Sequence, residues 1–344
     1  MRRLTLMLAL LLVAPASTAS TAARPAPQIS IFYYPWYGTP ARDGSYEHWA
    51  QGGHLPPGDI SSNYYPARGL YSSDDPAVLD AQMAEIAAAG VGEVVSSWWG
   101  RWGVGAVTDE RLPLIIQTAR AHGLSVAVQI EPYDAGRTRQ SLEDDFVRLK
   151  SLGITRFYVY RPFDLTDADW TALNAEEKGP GVEVLAQTAN VARAAADGFT
   201  GVYTYDIYRY GPGSFQRLCR RARAARLTCA PSVGPGYVAR RATGDPRVKL
   251  RRDGAVYDAM WSAAIRAHPD RVTITSYNEW HEGTQIEPAR PTPTRTLAMS
   301  PTLRLRYESY DGAYGLHGSE AEDAYLRRTA YWTARLRATA SSRP

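Results

Sequence analysis

Short apolar or alternating runs recur along this chain, separated by longer segments with helical spacing. The strand candidates are residues 29–34, 93–98, 125–131, 156–161, 182–187, 201–206, 227–232 and 272–277. Between them, apolar positions three and four residues apart predict helices over 76–89, 110–122, 140–152, 190–197, 213–226 and 253–268, and a last one over 320–336. Pro76 after Asp74 and Asp75 reads as a helix start, while Gly90, Gly123 and Gly153 stand where helices should end. Eight strands, each followed by a helix or a long loop, predict an α/β chain folded as a (β/α)8 TIM barrel, one catalytic domain with long βα loops. The run 182–187 is the hinge of that reading. Were it the start of a helix, seven strands would remain and a doubly wound open sheet would compete. Against the competitor, no G-x-G-x-x-G or P-loop follows the first strand.

The N-terminus breaks the pattern. Arg2 and Arg3 precede an apolar run over 4–13, and small residues follow, with Ala14-Pro15-Ala16 and Ser17-Thr18-Ala19 as candidate cleavage sites. The run is short for a bilayer span. We therefore divide the chain into a secretory leader (1–19), a linker (20–28) and the barrel domain (29–344), and expect a secreted monomer without stable membrane insertion.

Composition adds a substrate class. The chain carries 22 Tyr and 9 Trp against 6 Phe. Rings with a polar handle suit half-wet surfaces, where a face stacks and an edge hydrogen-bonds, as in a carbohydrate groove. The formal charge of +4 is spread out, and the basic stretch 217–226 has helical spacing without interleaved aromatics. It reads as a solvated helix face, so no nucleic-acid partner is expected. Cys219 and Cys229 fall on a predicted helix and the following strand. Two cysteines make no disulfide scaffold, and we read them as buried thiols, with a bridge as the alternative.

In a barrel of this kind the site is built from loops at the C-terminal ends of the strands. Those ends are rich in rings and carboxylates: Tyr34 and Trp36, with Tyr46 and His48 in the same loop; Trp98 and Trp99; Glu131 and Tyr133; Tyr205; Tyr237; and Asn278, Glu279, Trp280, His281 and Glu282. A Glu-x-x-Glu pair is ordinarily a solvated helical pair. Here Gly283 interrupts the helix and Asn278 and Trp280 crowd the same turn, which favours a strand-end site. Glu279 and Glu282 are therefore the catalytic candidates, and the other residues named are candidates for binding substrate. Glu131 has a competing reading as a structural carboxylate paired with an Arg. Trp98 and Trp99 should alternate, so that one of the two touches ligand. His48 and His281 read as hydrogen-bonding partners, since the chain has no H-E-x-x-H and no His cluster at zinc spacing. No metal or cofactor is expected. Glu287 reads as a loop ion pair. Glycosidases need one protonated carboxyl at the leaving oxygen and one ionised carboxylate, which environment can provide by splitting the two pKa values.

Seven segments, in order along the chain, resemble glycoside hydrolase family 99, the endo-acting α-mannosidases and α-mannanases. They are Phe32-Tyr33-Tyr34-Pro35-Trp36-Tyr37-Gly38, Asp59-Ile60-Ser61-Ser62-Asn63-Tyr64-Tyr65-Pro66, Tyr71-Ser72-Ser73-Asp74-Asp75-Pro76, Ile130-Glu131-Pro132-Tyr133, the stretch 198–205, Pro231-Ser232-Val233-Gly234-Pro235-Gly236-Tyr237 and the stretch 274–287. The resemblance implies a (β/α)8 barrel and retaining, metal-independent hydrolysis inside glycans containing α-mannose. It also implies roles: Glu279 as a base on the sugar's own 2-hydroxyl, giving a 1,2-anhydro sugar, and Glu282 as acid, then base, at the leaving oxygen. The substrate it implies is a mannose-containing oligosaccharide or polysaccharide. One departure stands out. Between Glu131 and Phe157 the chain is shorter than the family pattern and lacks its His-Pro segment, with Gly153-Ile154-Thr155-Arg156 in place. This bears on subsite specificity. The competing readings are an endo-glycosidase on a different or substituted α-glycan, a non-catalytic glycan-binding protein on the same barrel, and a metal-dependent hydrolase.

Overall fold

The computed structural model describes residues 26–133, 136–177, 179–291, 295–297 and 304–341. Most of the leader and linker expected at 1–28 lies outside them. Eight parallel strands close into a barrel: β1 (Gln28–Tyr33), β2 (Glu93–Trp98), β3 (Ser125–Ile130), β4 (Arg156–Val159), β5 (Glu183–Gln187), β6 (Gly201–Thr204), β7 (Thr228–Val233) and β8 (Arg271–Ile274). β1 pairs with both β2 and β8, which closes the ring. The run 182–187 is a barrel strand, so the open-sheet competitor falls.

A helix follows each strand: α1 (Pro76–Ala88), α2 (Ala106–Ala121), α3 (Arg139–Ser151), α4 (Asp167–Glu177), α5 (Val191–Ala196), α6 (Phe215–Ala224), α7 (Ala255–Ala267) and α8 (Ala324–Ser341). Asp75 caps α1, accepting from the Ala77 amide at 2.9 Å, with Pro76 in the first turn as the sequence suggested. Gly90 follows α1 with φ of 76°, a left-handed position that costs glycine little. Helix α4 was not anticipated, although Trp170, Leu173, Asn174 and Glu177 are its buried face at helical spacing. Its high polar content hid that stripe.

Alternation along the strands sorts the barrel interior into layers. At the floor, Glu93 accepts from Ser30 Oγ and Arg271 Nη1, both at 2.7 Å, and pairs with Arg156. Above it, Phe32 packs against Tyr158 and Tyr203. One layer higher the same alternation brings Tyr34, Glu131, Tyr160 and Tyr205 to the open end. The barrel is packed below and polar above.

Cys219 on α6 and Cys229 on β7 form a disulfide, with Cα atoms 5.2 Å apart. This corrects the buried-thiol reading. The strand lies directly against the helix that precedes it, so the two buried residues face one another.

Candidate active site

The chain leaves β8 at Ile274, earlier than predicted, and doubles back. Ser276 N–H donates to Thr284 O at 3.0 Å, and Ile286 N–H to Ser276 O at 3.0 Å. Within this loop, alternate residues face opposite ways. Asn278 turns into the scaffold: its Oδ1 accepts from Tyr34 N at 2.7 Å and its Nδ2 donates to Tyr34 O at 3.0 Å, fixing the end of β1. Trp280 turns inward too, donating its indole N–H to Glu287 Oε2 at 2.8 Å and its backbone N–H to the Tyr37 hydroxyl at 3.1 Å. Glu287 is fully buried and also accepts from Arg68, Tyr71 and Gln82. The loop ion pair expected for it is the Arg68 contact. With two residues held below, Glu279, His281 and Glu282 face outward together.

They face a cleft of about 810 Å³ at the C-terminal end of the strands. Of the residues selected from sequence, Tyr34, Trp36, His48, Trp99, Glu131, Tyr133, Tyr205, Glu279, His281 and Glu282 line it. Five stand elsewhere. Asn278 and Trp280 are buried behind the turn that carries Glu279 and Glu282, where their polar atoms are used by the scaffold. Trp98 is also fully buried, donating to Asp109 at 3.1 Å, so Trp99 is the member of that pair in the cleft. Tyr46 packs against the hydrophobic core, and Tyr237 is outside the cleft lining. The sequence reading missed Gln129, Tyr160, Arg101, Trp102, Asp144 and Asp145, all of which line the cleft. Gln129 and Tyr160 share the inward alternation of Glu131 and Tyr158 and could have been found that way. Arg101 and Trp102 sit on a loop, where no periodicity points, whereas Asp145 shares the buried stripe of α3 with Leu142, Phe146 and Leu149 and could have been found at helical spacing.

Trp36 anchors one wall. Its ring stacks on His48, with centroids 4.6 Å apart and planes 4° from parallel, and lies 5.8 Å from His281. His281 Nε2 meets His48 O at 2.8 Å. Glu279 Oε1 accepts from the His281 amide at 3.0 Å. On the other side, the Tyr34 hydroxyl donates to that of Tyr205 at 2.6 Å, and Tyr205 donates to Glu282 Oε2 at 3.1 Å. A model of glycosyl hydrolase family 99 matches residues 50–338. The chain belongs to that family.

It is a glycoside hydrolase. It is 33% identical to a glycoprotein endo-alpha-1,2-mannosidase-like protein of Danio rerio, over 88% of this chain and 77% of that relative. It is 31% identical to a glycoprotein endo-alpha-1,2-mannosidase of Mus musculus, over 90% of this chain and 74% of the other. Among solved structures, the GH99 endo-alpha-mannosidase from Bacteroides thetaiotaomicron superposes with a TM-score of 0.77 at 28% identity, covering 92% of this chain and 99% of that one.

In this family 99 member Glu131, Glu279 and Glu282 are held above the ordinary carboxyl range. Burial pushes Glu282 up to about 7, against the opposing hydrogen bond from Tyr205. Burial, then the neighbouring charge of Glu282, raises Glu279 as well, while the amides of His281 and Glu282 favour its ionised form. Glu131, 4% exposed, is raised to about 8 by burial, with Ser97 donating to it at 2.9 Å. The Arg partner foreseen for Glu131 survives only as the charge of Arg137, which acts on it without an ion pair. Burial lowers His48 to about 3 and His281 to about 4, so both rings are neutral at physiological pH. Among the described residues, no group of three or more His, Cys, Asp or Glu is arranged to hold a metal ion.

Proposed function

We propose that this protein is a secreted endo-acting hydrolase of α-mannosides, cleaving inside α-mannan or a related mannose-rich glycan with retention of configuration. The observation that carries this reading is the outward-facing pair Glu279 and Glu282 on one turn, each with its own hydrogen-bond donors, at the wall of a cleft with room for several sugar rings. Its relatives named as endo-alpha-mannosidases give the substrate class.

The chemistry follows from what each carboxyl can do. Glu279 takes the proton of the sugar's 2-hydroxyl, and O2 attacks C1 from the face opposite the leaving group. The C1–O bond breaks as Glu282 delivers its proton to the leaving oxygen, leaving a 1,2-anhydro sugar. Glu282 then takes a proton from water as its oxygen opens the strained ring at C1, and Glu279 returns the proton to O2. Two inversions give net retention. α-Mannose suits this path because its 2-hydroxyl is trans to the leaving group. Both carboxyls are raised, so the pair keeps a proton near neutrality for the first step. The amides directed at Glu279 favour its ionised form, the form that the base step needs, against the burial that raises it.

Glu279→Gln and Glu282→Gln should each lower kcat on an α-mannan oligosaccharide by a factor on the order of 1000, with ligand affinity retained. Near wild-type turnover in both variants would refute the mechanism. Export is supported by the basic-then-apolar leader and by the Cys219–Cys229 disulfide, a bond favoured in oxidising compartments. The mass of the mature protein from culture medium tests it, because an intact Met1 on the recovered chain rules out leader cleavage.

A further inference from the structure

Each backbone carbonyl from Glu282 to Gln285 is held by a donor outside that stretch. Glu282 O accepts from the Val238 amide at 2.7 Å and Thr284 O from the Ser276 amide at 3.0 Å. Gly283 O and Gln285 O both accept from Arg251 Nη2, at 2.9 and 2.7 Å. Arg251 stands between α7 and the short hairpin Tyr237–Val238/Val248–Lys249. The hairpin can press on the turn because Gly283, at φ of 62°, has no side chain; a Cβ there would lie 2.6 Å from Val238 Cγ1. Arg251 is 8% exposed, and its guanidinium lies 4.7, 4.7 and 4.6 Å from the ring centroids of Tyr64, Tyr310 and Tyr325. Among the described residues no carboxylate pairs with it. A buried cation is costly unless acceptors compensate it, and here they are three ring faces and two carbonyls of one turn.

The two carboxyls of the turn differ in what aims them. Glu279 is fixed from within: its amide donates to Ser276 Oγ at 2.9 Å, and its Oε1 accepts from the His281 amide. The Glu282 carboxyl accepts from Tyr205, and its direction otherwise follows from the backbone that Val238 and Arg251 hold. We propose that Arg251 is a positioning residue for Glu282. By tying down the carbonyls of Gly283 and Gln285 it fixes the backbone that aims this carboxyl at the leaving oxygen, and it does so from outside the cleft, which it does not line. The inference rests on the proposed mechanism, in which Glu282 is the acid. Without Arg251, Glu279 keeps its own donors, whereas the Glu282 carboxyl is free to swing away from the bond being cut.

The test compares phenyl and dinitrophenyl α-mannobiosides. The phenyl leaving group needs the Glu282 proton as the C1–O bond breaks, whereas dinitrophenolate departs as the anion without it. Glu282→Gln, the reference, should lower the ratio of kcat/KM for the phenyl substrate to that for the dinitrophenyl one about a hundredfold. Arg251→Met, which fills the space between the rings but donates nothing, should lower the same ratio about tenfold. Arg251→Lys, whose shorter stem cannot reach both carbonyls, should lower it in the same direction and serves if the Met variant does not fold. A merely structural role would lower both rates together and leave the ratio unchanged. A wild-type ratio in the Arg251 variants, beside a reduced one in Glu282→Gln, overturns the positioning role and leaves the mechanism standing. A wild-type ratio in Glu282→Gln overturns the acid assignment, and the inference with it. Wild-type protein that hydrolyses neither substrate overturns the mannosidase reading as a whole.

Discussion

At the scale of the residue, protons decide the chemistry. In the proposed mechanism Glu282 must be protonated to assist the leaving oxygen, so kcat/KM should fall as pH rises through about 7. The Tyr205 hydroxyl stabilises the ionised form of Glu282 and thereby lowers its pKa. Tyr205→Phe should therefore move the alkaline limb of the pH–rate profile upward, whatever it does to the maximum. A limb that stays or moves down would contradict the assignment. Glu131 makes a separate prediction about stability. Folding raises its carboxyl from about 4.5 to about 8, so between those values the folded state keeps a proton that the unfolded chain has released. Stability is then lost as pH rises across that window. Glu131→Gln removes the penalty: its Tm should exceed that of wild type by roughly 2–4 °C at pH 8, with the gap closing by pH 4. An equal gap at both pH values would show that charge is not the cause. The carboxylates were legible in the sequence because a Glu pair beside Gly283 at a strand end has few structural uses. Asn278 and Trp280 looked equally functional, since type and neighbourhood cannot reveal that Tyr34 and Glu287 already occupy their polar atoms.

At the scale of the element, the site depends on how the turn after β8 is braced. Glu287 gathers Arg68, Tyr71, Gln82 and Trp280 beneath it, with no solvent exposure. Removing that carboxylate strands several buried donors and one cation, although Arg68 keeps Glu85. Glu287→Ala should cost about 3 kcal/mol in unfolding free energy and lower kcat more than it changes KM, because the turn carrying Glu279 loosens. Urea denaturation and steady-state kinetics on one preparation check both, and wild-type stability would refute the bracing role. The sequence predicted for Glu287 only a loop ion pair, which is the Arg68 contact. Its four donors come from the loop after β8, α1 and the loop before α1, three parts of the chain brought together by closure of the barrel. Strand positions, by contrast, were plain from their apolar alternation. Helix α4 was missed because a four-residue buried stripe is thin among so many Asp, Glu and Asn.

At the scale of the molecule, the barrel divides its labour along its axis. An ion-paired floor and an aromatic middle hold eight strand ends in register, and the open end carries the cleft. Seven strands were readable outright, 182–187 also allowed a helix start, and the eight-strand reading was enough to bring distant Tyr, Trp and Glu residues to one rim. What it could not show was which of those residues the scaffold keeps for itself, as it does Asn278, Trp280 and Trp98. The central claim is that Glu279 and Glu282 cut α-mannosidic bonds internally with retention. Proton NMR of an α-mannan digest at early times tests it most directly. The account predicts oligosaccharides whose new reducing ends appear first as the α-anomer and only later equilibrate; β-anomer appearing first, or mannose as the sole product, would contradict it.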